Sequence, residues 1–264
     1  MNRAYSRLIA VCSFVLLASI GCAAQDFSKK YELAAGGHIN IHSVSGNVTI
    51  TGYNGNAVLV TAIKEGRDRD RVEVEDLSSG DRIDVRSRYP ERCNCDASIN
   101  FTVQVPRGVK YSFDKIGSAS GNIEIRGVAG EINGRSASGD VIVEDVEGNI
   151  AAGSASGDVR VRNAVGTVNA HSASGDVEVD LAGVEGTGNM EFTSASGDVR
   201  VKAPASLDAD VDMSCTSGDL KTDFAISVSE SEHGSHRSAH GRLGSGSRSL
   251  KIRSSSGSVS LLRN

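Results

Sequence analysis

Apolar and polar residues alternate through short runs along most of this chain. In Asp140-Val141-Ile142-Val143-Glu144 the alternation sets Val141 and Val143 on one face, which is strand periodicity. Asp145-Val146-Glu147-Gly148 reads as a turn, and a second short strand begins over Asn149 to Gly153. Ser154-Ala155-Ser156-Gly157 then turns the chain back. The same Ser-Ala-Ser-Gly recurs at Ser118–Gly121, Ser136–Gly139, Ser172–Gly175 and Ser194–Gly197, with an early variant at Ser43–Gly46 and degenerate copies ending at Gly218 and Gly257. From Gly121 to Gly175 the spacing is 18, three times running, and Gly130, Gly148 and Gly166 sit halfway. A fixed period of this kind is the mark of a repeat architecture.

Columns of equivalent positions test that reading. In a register where residue i lies beside i+18, about 4.8 Å away, one column reads Val141, Val159, Val177 and, after an insertion, Val199. The next reads Val143, Val161, Val179 and Val201, and a third reads Ile132, Ile150 and Val168. An outward column reads Arg126, Glu144, Arg162, Asp180 and Lys202, beside Arg160, Glu178 and Arg200, so the charges alternate in sign from coil to coil. Opposite charges on neighbouring strands stabilise by a few tenths to about 1 kcal/mol per pair. The expected fold is all-β: a β-solenoid of 18-residue coils, with two short strands per coil, over residues 118–225.

The flanks lose the strict period. Residues 25–117 keep strand-like alternation, with turn signals at Tyr53–Asn56 and Ser78–Asp81; one coil-like unit is expected to start at Gly37–Ile41 before Ser43–Gly46, within an N-terminal β-meander that caps or widens the open end of the sheet. Residues 226–264 are expected to be a Ser, Gly, His and Arg-rich flexible loop or hairpin followed by two closing strands around Leu250–Arg253 and Ser258–Leu261.

The first residues read as an address. Arg3 and Arg7 precede a 13-residue apolar run, Leu8 to Ile20, too short for the roughly 20 residues of a membrane-spanning helix. Cleavage before Gln25 would make residues 1–24 a signal peptide, whereas Ser19-Ile20-Gly21-Cys22 resembles a lipobox, which would remove 1–21 and lipidate Cys22. Both routes place the protein outside a bacterial cytoplasm: in the periplasm, anchored to the outer membrane, or at the cell surface. Contact with a membrane is expected only through a lipid on Cys22. Cys93, Cys95 and Cys215 remain, and their pairing is left open, with a bridge from Cys93 or Cys95 to Cys215 as one outcome; Cys93-Asn94-Cys95 is also a weak zinc signal.

Composition narrows the function classes. The chain has 264 residues with 30 Gly and 37 Ser, but only 3 Pro and no Trp, at a net charge of −5. Collagen is excluded because Gly does not occupy every third place, and wholesale disorder because Val and Ile recur in register. Nucleic acid is not an expected partner, since no basic patch is interleaved with stacking aromatics.

Two clusters are candidates for metal binding. Asp140, Asp158 and Asp176 follow the repeat glycine and would stack carboxylates about 4.8 Å apart, where they repel by roughly 0.9 kcal/mol even in water. A cation would relieve that repulsion, and hydrogen bonds from the turn backbone would also satisfy them. His233, His236 and His240 form the densest histidine cluster, in a segment whose composition reads as a solvated loop. The column Ser120, Ser138, Ser156, Ser174 and Ser196 is read as turn residues satisfying the backbone rather than as nucleophiles, and no catalytic residue or cofactor is assigned.

The Ser-x-Ser-Gly-Asp/Asn-Val-x-Val units, Phe101-Thr102-Val103-Gln104-Val105-Pro106 before them and Gly241-Arg242-Leu243-Gly244-Ser245-Gly246 before the final strands resemble the bacterial putative-adhesin family, a domain of unknown function. The resemblance covers roughly residues 36 to 262. It implies an extracytoplasmic, non-enzymatic role in adhesion; the export segment, the outward charge rows and the lack of a catalytic constellation lead to the expectation of an envelope protein whose regular faces bind a glycan, peptidoglycan or a protein. The alternatives are an envelope-stress sensor and a β-helix enzyme acting on polysaccharides, the latter disfavoured by the lack of Trp platforms.

Overall fold

The computed structural model describes residues 26–230 and 237–264; the export segment expected over residues 1–24, with Cys22, and the candidates His233 and His236 lie outside the described residues. Apart from one 3-10 turn at Arg69–Arg71, the regular elements described are all β-strands.

The central coils show how the sequence makes the architecture. β11 (Val141–Ser154) pairs in parallel with β12 (Val159–Ser172), Val141 opposite Val159 and Ser154 opposite Ser172, with only Asp145 skipped. Each strand begins on one wall of the solenoid and ends on the other. The expected turn at Asp145–Gly148 is therefore a bend within a continuous strand. Asp145 and Asn163 take φ of 55° and 50°, and Gly148 and Gly166 take 133° and 136°. β11 and β12 bend at the same register, so the hydrogen bonds between them continue through the corner. At Gly148 a Cβ would stand 2.1 Å from the carbonyl oxygen of Gly130 in the next coil, which is why only glycine fits there.

One wall runs, in spatial order, through β5 (Glu73–Asp76), β6 (Arg82–Arg88), β2 (His38–Ser43), β8 (Lys110–Ser118), β10 (Ala129–Ser136), the second halves of β11 and β12, β14 (Met190–Ser194), β20 (Ser249–Ser254), β16 (Ala209–Cys215), β19 (Arg237–Leu243) and β18 (Ser227–Glu230). The opposite wall runs through β1 (Phe27–Tyr31), β4 (Val58–Glu65), β7 (Ser98–Pro106), β3 (Val48–Tyr53), β9 (Ile123–Arg126), the first halves of β11 and β12, β13 (Val177–Gly183), β15 (Val199–Ala203), β21 (Val259–Arg263) and β17 (Leu220–Thr222).

Two consequences differ from the sequence reading. Residues 25–117 are not a meander set on top of the repeats. The coil of β2 and β3 is inserted in parallel between that of β6 and β7 and that of β8 and β9, and only β1, β4 and β5 are antiparallel additions. Residues 226–264 supply a hairpin and the two expected final strands, but those strands do not close the end of the stack. β18 and β19 form an antiparallel pair at the edge, and the last coil, β20 with β21, slides between β14/β15 and β16/β17. The turn that permits this is held by Asp208, which accepts bonds from Ser245 Oγ (2.7 Å), Gly246 N (2.7 Å) and Ser247 N (3.1 Å). Gly244 and Gly246 in that turn have φ of 63° and 72°.

The core lies between the walls. The valine columns read from the sequence are buried in it, and Leu261 and Val259 extend them into the inserted coil. Facing them, Ile116, Gly134, Ala152, Ala170, Phe192 and Ile252 form one inward column, small in the middle and large towards the ends. Rings are thus absent from the thin centre, yet Phe101, Phe113 and Phe192 are fully buried in coils on either side.

Candidate functional site

The repeat motif builds two hydrogen-bond ladders along the stack. In the first, the inward serine of each Ser-Ala-Ser-Gly unit is buried, with Ser118, Ser136, Ser154, Ser172, Ser194 and Ser254 all 4–6% exposed. Ser154 Oγ accepts the Gly157 N–H at 2.9 Å and donates to the Gly139 carbonyl of the preceding coil at 2.8 Å. The same pair of bonds is made by Ser118, Ser136, Ser172 and Ser194. The second serine of each unit, the column Ser120 to Ser196 singled out from the sequence, is exposed. The inward serine was overlooked, although parity would have found it: Ser154 continues the inward series Ile150, Ala152.

The second ladder disposes of the aspartates. Asp140 Oδ1 accepts the Asp158 N–H at 2.9 Å, Asp158 accepts that of Asp176 at 2.8 Å, and Asp176 accepts that of Asp198 at 2.8 Å. Asn47 and Asn122 make the same bond at their rungs, and Asp198 accepts the Ser258 N–H of the inserted coil. Arg160 lies between Asp140 and Asp158, at 3.2 and 2.5 Å. One oxygen of each of Asp140, Asp158 and Asp176 is thus taken by a backbone N–H of the next coil, and Arg160 neutralises Asp140 and Asp158. His240 lies on β19, 3.5 Å from Asp212 and exposed. Among the described residues no group of three or more His, Cys, Asp or Glu is placed to hold a metal. Cys93 and Cys95 are disulfide-bonded to each other, so neither reaches Cys215, a buried free thiol that takes the inward serine position in its coil.

The outward charge rows are realised as ion pairs in the middle coils. Glu144 bridges Arg126 (2.8 Å) and Arg162 (3.1 Å), and Arg162 approaches Glu178 at 3.8 Å. These exposed pairs contribute little each to stability.

A different surface offers room for a ligand. Where the first wall turns into the Ser-Ala-Ser-Gly corners, a groove of about 1370 Å³ crosses the stack from His42 on β2 to Ser214 on β16. Its floor carries the exposed column Ala119, Ala137, Ala155, Ala173 and Ala195. Beside it runs a second column in which long and small residues alternate: His42, Gly117, Arg135, Gly153, His171, Thr193, Arg253. The rings lie down on the glycines. A Cβ on Gly153 would stand 2.3 Å from His171 Nε2, and one on Gly117 3.0 Å from His42 Cε1. Burial, together with the charge of Arg135, holds the His171 pKa below its ordinary value. His42, Arg135 and His171 belong to none of the sequence-predicted sites, although the large-small alternation at a spacing of 18 is visible in the sequence from Gly117 to His171.

No curated protein matches the chain. Among solved structures, a putative adhesin from Bacteroides fragilis is 15% identical with a TM-score of 0.41, covering 90% of this chain and 96% of that one. A putative cell adhesion protein from Clostridium sporogenes is 9% identical with a TM-score of 0.36, covering 90% and 99%. One family model spans residues 37–262, from the first inserted coil to the second, and the chain belongs to that family, Toastrack DUF4097.

Proposed function

We propose that the protein is an exported, non-enzymatic interaction module of the bacterial cell envelope, a rigid β-solenoid that presents its corner groove to a surface partner. The observation that carries this reading is the groove itself, a continuous surface laid over coils whose own polar groups are engaged in the serine and aspartate ladders. Its polar rim and methyl floor suit reversible contact with an extended partner. The 18-residue coil and its Ser-x-Ser-Gly-Asp unit serve here as the means of making that surface long and stiff. The apolar N-terminal run would direct export, with Cys22 as the lipid-bearing residue if the lipobox is used.

The test is binding of fluorescently labelled protein to isolated envelopes, with cell fractionation and mass spectrometry of the mature N-terminus alongside. Saturable binding, an extracytoplasmic location and an N-terminus at Gln25 or a lipidated Cys22 are expected. Cytoplasmic retention of an unprocessed chain, or no saturable binding, would refute the reading.

A further inference from the structure

The groove has a charge and a spacing. Its lining holds three fixed cations, Lys115, Arg135 and Arg253, against one carboxylate, Asp114, on a chain whose net charge is −5. Asp114 is already engaged by His38 at 2.7 Å and by Ser112 at 2.8 Å, and Arg253 by Asp212 at 3.0 Å. Lys115 and Arg135 have no carboxylate within 4.0 Å among the described residues; Arg135 Nε bonds only the Asn133 amide oxygen, at 3.2 Å. In the adjoining column Glu191 stands opposite Lys251. The groove therefore presents a net positive rim.

The spacing comes from the glycines. His42, Arg135, His171 and Arg253 occupy every second coil of one column, so nitrogen-bearing side chains recur about every 9.6 Å along the stack and span about 29 Å in all. Asn133 and Asn169 repeat with the same two-coil period two residues along the strand on the same outward face, with Ala151 between them; Asn133 lines the groove and Asn169 lies beside it. Amides beside cationic groups suit a ligand carrying hydroxyls beside acidic groups.

The backbone argues against a peptide. Peptides that add to sheets use a free strand edge, and the strands under the groove from β8 to β20 are hydrogen-bonded to neighbours on both sides. Recognition there is left to side chains and to the flat alanine floor, against which the C–H face of a sugar ring can pack.

We infer that the groove binds an acidic polysaccharide, laid along the stack axis with its anionic groups met by Lys115, Arg135 and the flanking imidazoles. This rests on the surface-interaction reading above and gives it a ligand class.

The test uses the full chain with polygalacturonate, the same polymer fully methyl-esterified, and polyglutamate as the acidic peptide. Polygalacturonate is expected to bind, more weakly as salt rises, and to displace labelled protein from envelopes, whereas the ester and polyglutamate do neither. Arg135→Glu and Lys115→Glu should each weaken binding by about tenfold, and the neutral Arg135→Gln by less. Arg200→Glu, on the opposite wall, should change it by less than about twofold. Equal binding of ester or polyglutamate, or indifference to Arg135 in a variant with an unchanged melting curve, overturns the inference. Envelope binding that polygalacturonate does not compete overturns it while the surface-interaction reading stands, and absence of envelope binding overturns both.

Discussion

Replacing Ser154 with alanine removes one hydroxyl and should cost more than its size suggests. The hydroxyl accepts the Gly157 N–H at 2.9 Å and donates to Gly139 O at 2.8 Å, and the side chain sits in a position 4% exposed. Both partners are backbone groups of buried glycines, and alanine offers neither a donor nor an acceptor. A buried polar group left without a partner costs roughly 1–3 kcal/mol, the carbonyl being the better tolerated of the two. The sum for Ser154→Ala is about 3 kcal/mol. The control is Ser156→Ala, two residues along in the same motif, whose exposed side chain should matter by no more than about 0.5 kcal/mol. Urea denaturation followed by circular dichroism reads the difference as a shift in midpoint at constant slope. Hydrogen exchange at the Gly157 amide reads it locally, with protection lost in Ser154→Ala and retained in Ser156→Ala. If the two variants were equally stable, or if Gly157 stayed protected without the hydroxyl, the ladder would be a geometric coincidence and the argument would fail.

Three further outcomes follow from the same geometry. Asp158→Asn keeps the oxygen that accepts the Asp176 N–H and should stay within about 1 kcal/mol of the parent, as Asn122 does its work two coils away, whereas Asp158→Ala should lose about 1–2 kcal/mol in the same urea assay. Gly148→Ala forces a Cβ to 2.1 Å from a carbonyl oxygen at φ 133° and should cost on the order of 3–5 kcal/mol, while Gly134→Ala finds only ordinary contact at 3.6 Å and should stabilise by about 0.5–1 kcal/mol; melting temperatures separate the two. The His171 pKa is depressed in the folded state by burial and by Arg135, so its contribution to stability is present in full above the unfolded value near 6.5 and is lost as pH falls through the folded value. Proton NMR titration should place His171 below a model histidine and show it rising in Arg135→Ala, and His171→Gln should flatten the acid side of the stability profile.

Much of the middle of this molecule is legible from sequence because its spatial neighbours are sequence neighbours one period apart. Val141 meets Val159 and Glu144 meets Arg162 where the spacing puts them. The ends are not legible, since the coils there meet partners far along the chain. Ser43 lies beside Ser118, and Cys215 beside Ser254. No period survives across an insertion of that kind, and the alternation of each strand carries no label for its neighbour. The ladders were half visible: the aspartate column and its backbone bonds were anticipated, but the serine assigned to the ladder was the exposed one. Parity within each motif, followed from Ile132 through Gly134 to Ser136, separates the two hydroxyls without any structure. The groove is not legible as a motif, because its chemistry is spread at one side chain per two coils instead of being clustered.

The out-of-order coils also explain how a stack of nearly identical rungs ends. A parallel sheet whose edge repeats its own interior invites further copies of itself. Here the rungs change chemically before the edge is reached. Ser43 donates to the Ile99 carbonyl instead of a glycine, and at the other end Cys215 replaces the serine and reaches Gly218 O at 3.4 Å. Asp219 donates its N–H to a serine hydroxyl, Ser258, where each earlier rung donates to a side-chain carbonyl or carboxylate. Beyond these rungs the added strands β4 and β19 are antiparallel, so neither presents the parallel register that another coil would need, and the remaining parallel edge, β17, is only three residues long. The same insertions complete the groove, for His42 and Arg253 both belong to coils that entered the stack out of order. The length of the ligand-facing surface is therefore set by how the chain ends are threaded, and adding a repeat in the middle would lengthen it by about 4.8 Å without disturbing either end.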